Sequence, residues 1–130
     1  MFRRKQMDPL ARRVALQIGA GRLAMGVGIF FATQPALRAL GFGSAEATGD
    51  ALAKLGGGRD IALGALTLAS RDDPAALRTA LLISSACDAA DAVALGVSAR
   101  HEKTRKAGIG GIVSGAAAAI AGLWAWRRLS

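Results

Sequence analysis

The chain alternates between long apolar segments and short polar links, a pattern that predicts four helices separated by turns. The apolar segments cover residues 14–33, 51–70, 75–99 and 107–126. About twenty helical residues, rising 1.5 Å each, span the hydrocarbon core of a bilayer, about 30 Å thick. The pattern therefore predicts an all-α protein, an integral membrane four-helix bundle whose transmembrane domain covers residues 14–128.

The four segments do not fit a membrane equally well. The last one carries no charge and ends at Trp124 and Trp126, an arrangement typical of a transmembrane helix at the bilayer interface. The second, 51–70, contains Arg59 and Asp60, which cost about 5 to 6 kcal/mol at a helix centre, whereas its leucines and isoleucines return about 2 to 4 kcal/mol. We therefore expect this segment to insert only with partners on neighbouring helices.

The links supply helix boundaries and an orientation. Asp73 is predicted to cap the third helix, with Pro74 at its first position. The basic segment 1–13 is predicted to be cytoplasmic or a short surface helix, and the link 34–49 a loop or a short surface helix. With four spans, the side of both termini carries nine basic residues and the other side six. This excess predicts that both termini are cytoplasmic.

Composition supports the membrane interpretation. The chain is 52% hydrophobic with a mean hydropathy of +0.35, and alanine and glycine supply more than a third of it. Small residues let helices approach closely in lipid. Stripes of them at helical spacing predict helix-packing faces on the first, second and last segments, formed by Ala24, Gly28, Gly56, Gly64, Gly111 and Gly115.

The charge of +8 is compatible with nucleic-acid binding, but its distribution argues against it. The basic residues cluster beside the apolar segments, as residues that contact anionic lipid headgroups do. We therefore predict membrane lipids, and no nucleic acid, as partners. A single cysteine, Cys87, and a single histidine, His101, cannot supply a disulfide or a Cys/His metal site, so no metal is predicted.

Five charged residues lie inside the apolar segments at similar depth: Arg22, Arg59, Asp60, Asp88 and Asp91. Ionisable groups at that depth face the bundle interior and pair with one another. Ser84 lies one turn before Asp88 on the same face. Arg59 and Asp60 diverge by about 100° around their helix, so Arg59 is predicted to pair with Asp88 or Asp91 rather than with its neighbour.

Two interpretations of these charges stay open. In one, an ion-pair network holds the helices together without a ligand. In the other, a polar pocket at the membrane midplane binds a lipid headgroup, a quinone or a proton. The charges sum to −1, an excess that one protonated carboxyl would remove.

Short motifs carry a resemblance to a known group of proteins. They are Gly21-Arg22, then Gly58-Arg59-Asp60 followed by Ala62-Leu63-Gly64, and the pair Asp88 and Asp91. Over residues 14–126 the chain resembles small bacterial four-helix membrane proteins of unknown function and, more distantly, DoxX-like membrane proteins. This resemblance implies a four-helix bundle with a polar centre. DoxX-like proteins are linked to quinone-connected redox chemistry and to membrane complexes, but the resemblance supplies no catalytic residue.

Three functional hypotheses follow for a multi-pass protein of the bacterial inner membrane. The first is a non-enzymatic scaffold or accessory subunit without a resident cofactor, a homo-oligomer or part of a larger membrane complex, whose buried charges fix helix packing or bind a lipid-like ligand. The second is an oligomeric proton-coupled carrier or channel with Asp60, Asp88 and Asp91 as proton sites. The third is a quinone-linked oxidoreductase subunit.

Overall fold

The computed structural model describes residues 7–43 and 46–130, and in these ranges all regular structure is helical. The helices are α1 (Pro9–Phe31), α2 (Thr33–Ala39), α3 (Ala47–Ala69), α4 (Pro74–Ser98) and α5 (Arg105–Arg128), with a single 3₁₀ turn, Glu102–Thr104, before α5. The all-α prediction is confirmed. The prediction that the basic segment 1–13 is cytoplasmic or a short surface helix falls partly outside the described residues, because Arg3, Arg4 and Lys5 precede them.

Two helices begin with the same capping arrangement. The Asp73 carboxylate accepts hydrogen bonds from the backbone N–H groups of Ala75 and Ala76, and Pro74 is the first residue of α4, as predicted. Asp8 does the same for α1, which starts at Pro9. α1 therefore begins five residues before the predicted start, and residues 9–13 continue this helix instead of forming a separate surface segment.

The link after α1 contains the short helix α2. The chain bends at Ala32, and α2 ends in a Schellman motif. Gly41 adopts a φ of +91°, a backbone conformation that glycine tolerates, while the Phe42 N–H donates to the Leu37 carbonyl over 2.9 Å. Of the two predictions for this link, a loop or a short surface helix, the structure has a short helix over residues 33–39.

α1 and α3 pack antiparallel with their backbones in contact. A Cβ atom added at Gly26 would lie 2.6 Å from the Gly57 carbonyl oxygen, and one at Gly64 would lie 2.6 Å from the Gly19 carbonyl oxygen. These separations are shorter than real Cβ contacts, so only glycine fits at either position. Gly64 thus lies in a helix contact, as the sequence predicts.

Ala24, Gly28 and Gly56 do not form the predicted contacts. Ala24 is exposed, and no described atom lies within 4 Å of a Cβ added at Gly28 or Gly56. The reason is the rotation of α1: Arg22 faces inward, and Ala24 lies about 200° away around the helix. The inward face of α1 instead carries Gly19 and Gly26.

α4 and α5 form a second antiparallel pair. A Cβ added at Gly115 would lie 3.0 Å from the Asp88 carbonyl oxygen, and Gly111 packs on the Leu95 side chain. The two helix pairs meet where α1 and α4 begin and α5 ends. A buried apolar cluster fills that end: Ala11, Ala15, Leu77, Leu81, Ala125 and Leu129.

Large apolar side chains mostly point outward. Among the described residues 18 large hydrophobic side chains are exposed, whereas Arg22, Asp60 and Asp88 are buried. Three segments are long and apolar enough to cross a membrane: Pro9–Phe31, Pro74–Ser98 and Glu102–Arg128. α3 is not among them, which agrees with the expectation that the second segment is the least suited to insert alone. These properties are compatible with a membrane protein.

Candidate functional site

Arg22 lies at the centre of the buried charges. It is 6% exposed, and its Nη1 donates to Asp60 Oδ1 over 2.6 Å. Its Nη2 donates to the backbone carbonyl of Ser84 over 3.1 Å and to Asp88 Oδ1. One guanidinium group of α1 therefore joins α3 and α4.

Local structure explains how one side chain reaches both helices. The glycine contacts bring the α3 backbone against α1, so Asp60 is close to Arg22. The Ser84 carbonyl belongs to α4 and has a second lone pair, which accepts the bond from Arg22. Ser84 is thus part of the site through its main chain. Its hydroxyl is buried without a hydrogen-bond partner in the described chain.

Arg59 and Asp91 form the second centre. Arg59 Nη1 and Nη2 donate to the two Asp91 carboxylate oxygens over 3.0 and 2.5 Å, a bidentate geometry. The side chains are 39% and 38% exposed, so this pair lies on the flank between α3 and α4. Asp91 is one of the two partners expected for Arg59. The other, Asp88, is bound to Arg22.

Asp60 links the two centres. Arg59 Nη2 lies 3.7 Å from Asp60 Oδ1, the same oxygen that Arg22 contacts. The hydrogen bonds of Arg59 go to Asp91 and not to its neighbour, but the long arginine side chain still comes within ion-pair distance of Asp60 despite their divergence around the helix. The five charged residues form one chain of alternating sign.

We call these five residues the charge chain. Each of its three carboxylates contacts a guanidinium group. None is therefore positioned as a free base or nucleophile. Within residues 7–43 and 46–130, no group of three His, Cys, Asp or Glu side chains is placed to hold a metal ion. The arrangement can fix the relative positions of α1, α3 and α4.

A groove adjoins the exposed end of the charge chain. It has a volume of about 590 Å³, opens to the outside and is lined mostly by apolar atoms. Its lining residues are Phe30, Ala51, Lys54, Leu55, Gly58 and Arg59. The charged ends of Lys54 and Arg59 are paired with Asp50 and Asp91, so the groove itself presents an apolar surface.

Several polar contacts were not expected from the sequence. Arg12 of α1 donates to the Arg71 carbonyl and to Asp72 in the turn between α3 and α4, each over 3.0 Å. Contacts this distant in sequence leave no pattern in the chain. Asp50 and Lys54 form an ion pair inside α3, and their spacing of four residues could have revealed it.

Comparison with known proteins gives a family. A family model described as "Domain of unknown function (DUF4267)" matches residues 19–127, which include the five charged residues of the site. The match extends over most of the chain, so the protein belongs to this family. No curated protein and no solved structure matches it.

Proposed function

We propose that this member of the DUF4267 family is an integral membrane protein with four transmembrane helices that acts as a scaffold or accessory subunit. The observation that carries the proposal is the distribution of side chains: Arg22, Asp60 and Asp88 are buried, while large hydrophobic residues cover the outside. Exposed apolar surface on this scale is unfavourable in water, whereas the acyl chains of a bilayer cover it without that cost. Buried ionisable groups that face the helices and pair with one another are typical of membrane proteins.

The charge chain supports a structural role. α3 carries two central charges, and each has a partner on another helix. Asp60 pairs with Arg22 of α1, and Arg59 pairs with Asp91 of α4. These pairs supply the compensation that α3 lacks by itself. Because each of the three carboxylates in the charge chain contacts an arginine, the arrangement favours helix packing over proton transfer or catalysis.

The Arg59–Asp91 pair supports a subunit role. At the middle of a bilayer, a pair about 40% exposed would face lipid, which solvates charge poorly. We infer that the flank between α3 and α4 is covered by a second copy of the chain or by a subunit of a larger membrane complex. We also propose a bacterial inner membrane location with cytoplasmic termini, and a distant relation to DoxX-like proteins.

The groove beside Arg59 favours a second candidate function, the binding of a lipid-like ligand such as a quinone or a phospholipid. Its lining is apolar, which suits acyl or isoprenoid carbons, while the charged ends of Lys54 and Arg59 are paired with Asp50 and Asp91. Co-purification of a lipid or quinone that is lost in the Gly58→Leu variant, which fills the groove, would support this candidate.

Cysteine labelling tests the four-span topology. In a Cys87→Ser background, Arg71→Cys marks the turn between α3 and α4, and Lys103→Cys marks the link between α4 and α5. Both residues are exposed. An impermeant thiol reagent is expected to label them from opposite faces of the membrane. Labelling of both from one face would contradict the model of four spans.

Cross-linking tests the covered flank. Ala62 is exposed on α3, one turn after Arg59, and Val113 is exposed on α5. In the Cys87→Ser background, Ala62→Cys is expected to form a disulfide-linked dimer in the membrane, whereas the matched control Val113→Cys stays monomeric. Equal dimer yields, or none at Ala62→Cys, would contradict coverage by a second copy.

A further inference from the structure

Arg78 is a half-buried cation without an anionic partner. It lies in the second turn of α4, and its guanidinium carbon is 4.9 Å from the centre of the Trp126 ring. Its Nε is buried and has no hydrogen-bond partner in the described chain. All nine Asp and Glu residues lie within residues 7–43 and 46–130, and none is within 4.0 Å of Arg78.

This combination is found at no other basic residue that the structure describes. Seven others also lack a carboxylate within 4.0 Å, but all of these are exposed and therefore hydrated: Arg13, Arg38, Arg100, Lys103, Arg105, Lys106 and Arg127. A charge that is partly removed from water costs free energy unless an anion or hydrogen bonds compensate it. No carboxylate of the chain supplies this compensation for Arg78, so an anion from outside the chain would supply it.

The position of Arg78 indicates the source of that anion. Trp126 lies in the last turn of α5, next to the start of α4, so the Arg78–Trp126 pair lies at the end of both helices. In the membrane orientation proposed above, on which this inference rests, that end is at the headgroup level, where tryptophan is enriched. Arg128 stacks on Trp124 at the same end, but it has Asp8 at 3.8 Å.

We propose that Arg78 and Trp126 form a binding site for the phosphate group of an anionic phospholipid. The guanidinium fork matches phosphate oxygens, and the indole ring packs on the glycerol and upper acyl carbons. The net negative charge of the lipid neutralises the cation. Free inorganic phosphate has the same binding chemistry, so the experiment separates the two sources.

Tryptophan fluorescence gives a direct readout, because the chain has two tryptophans and no tyrosine. The Trp124→Phe variant leaves Trp126 as the reporter in vesicles of phosphatidylcholine that contain brominated phosphatidylglycerol or brominated phosphatidylcholine. Brominated phosphatidylglycerol is expected to quench Trp126 with about fivefold higher apparent affinity, the ratio that one basic group near an anionic surface supplies. Adding Arg78→Gln is expected to abolish this preference.

Matched variants separate the site from general electrostatics. Arg127→Gln removes the same charge from an exposed residue nearby and is expected to keep the preference. Arg78→Lys keeps the charge but loses the planar fork, so it is expected to retain part of the preference. It replaces Arg78→Gln in the comparison if that variant fails to insert. Equal loss in Arg127→Gln and Arg78→Gln would overturn the proposal.

Three further outcomes identify what has failed. Release of the chain from vesicles by alkaline extraction would contradict both the membrane function and the lipid site. Retention with equal quenching by the two brominated lipids would contradict the lipid site alone. If inorganic phosphate shifts Trp126 emission in detergent while brominated phosphatidylglycerol shows no preference, the site binds the free anion and the assignment to a lipid is overturned.

Discussion

Loss of Arg22 is expected to destabilise the protein more than loss of any other single charge. Its guanidinium group contacts two buried carboxylates and one backbone carbonyl. Breaking a buried ion pair costs about 3 to 5 kcal/mol, because the remaining charge is left uncompensated. Arg22→Gln leaves Asp60 and Asp88 facing each other, so we expect at least this cost. Arg59→Gln breaks the single pair with Asp91 while Arg22 still neutralises Asp60, so it should cost less than Arg22→Gln.

A double-mutant cycle isolates the pairing. Arg22→Gln and Asp88→Asn remove the two charges with little change in volume, and the double variant leaves no uncompensated partner in that pair. We expect the two changes to be coupled by about 1 to 3 kcal/mol. Arg59→Gln with Asp88→Asn is the matched control, since Asp88 binds Arg22 instead. This control pair is expected to be coupled more weakly than Arg22 and Asp88, because Arg59 and Asp88 are connected only through Arg22 and Asp60.

The unfolding free energy is measured by titrating a denaturing detergent into mixed micelles and following helical circular dichroism. Every variant is compared at the same protein and micelle concentration. Additivity in the Arg22/Asp88 cycle, or stronger coupling in the Arg59/Asp88 cycle, would refute the assignment of partners. Equal costs for Arg22→Gln and Arg59→Gln would refute the claim that Arg22 is the central residue.

Two other expectations concern helix packing and capping. Gly26→Ala places a methyl group against the α3 backbone and should destabilise the fold by about 1 to 3 kcal/mol, whereas Gly28→Ala meets open space and should be neutral or stabilising in the same titration. Equal effects would contradict the α1–α3 contact. Asp73→Ala should cost about 1 kcal/mol through loss of the α4 cap, and Asp73→Asn should restore most of it; no difference between these two variants would count against the cap.

The sequence predicts the helices better than their faces. Asp73 and Pro74 mark the start of α4 because capping is a local property of a few adjacent residues. Asp8 and Pro9 form the same pattern at α1, but the basic residues that follow favoured a separate surface segment. The start of each helix is thus encoded by a few adjacent residues. The expected start of α1 at residue 14 differs from the observed one because the Asp8-Pro9 pattern was not used to place it.

The packing faces could not be found from periodicity. α1 is apolar around most of its circumference, so hydrophobic spacing does not identify an inward side. Small residues are so common that Ala24 and Gly28 form as regular a stripe as Gly19 and Gly26. Only the charge of Arg22 distinguishes the faces, since a buried ion must point to its partners.

The choice between Asp88 and Asp91 was also beyond the sequence. Both carboxylates lie one turn apart at similar depth, and either could reach either arginine. The choice depends on how far α4 is rotated and shifted against the other helices, which its contacts with α5 help to set. Gly111 and Gly115 lie in those contacts.

The alternating charges also constrain the order in which the protein can be assembled during synthesis. Asp60 emerges from the ribosome after Arg22, so its partner on α1 is already made when α3 appears. Arg59 pairs with Asp91, which is translated 32 residues later. In a chain inserted as it is translated, α3 would therefore enter the bilayer with half of its compensation and wait beside the insertion machinery for α4. Termination of synthesis between α3 and α4 would leave Arg59 without Asp91, its bidentate partner, and give a fragment that quality-control proteases can recognise.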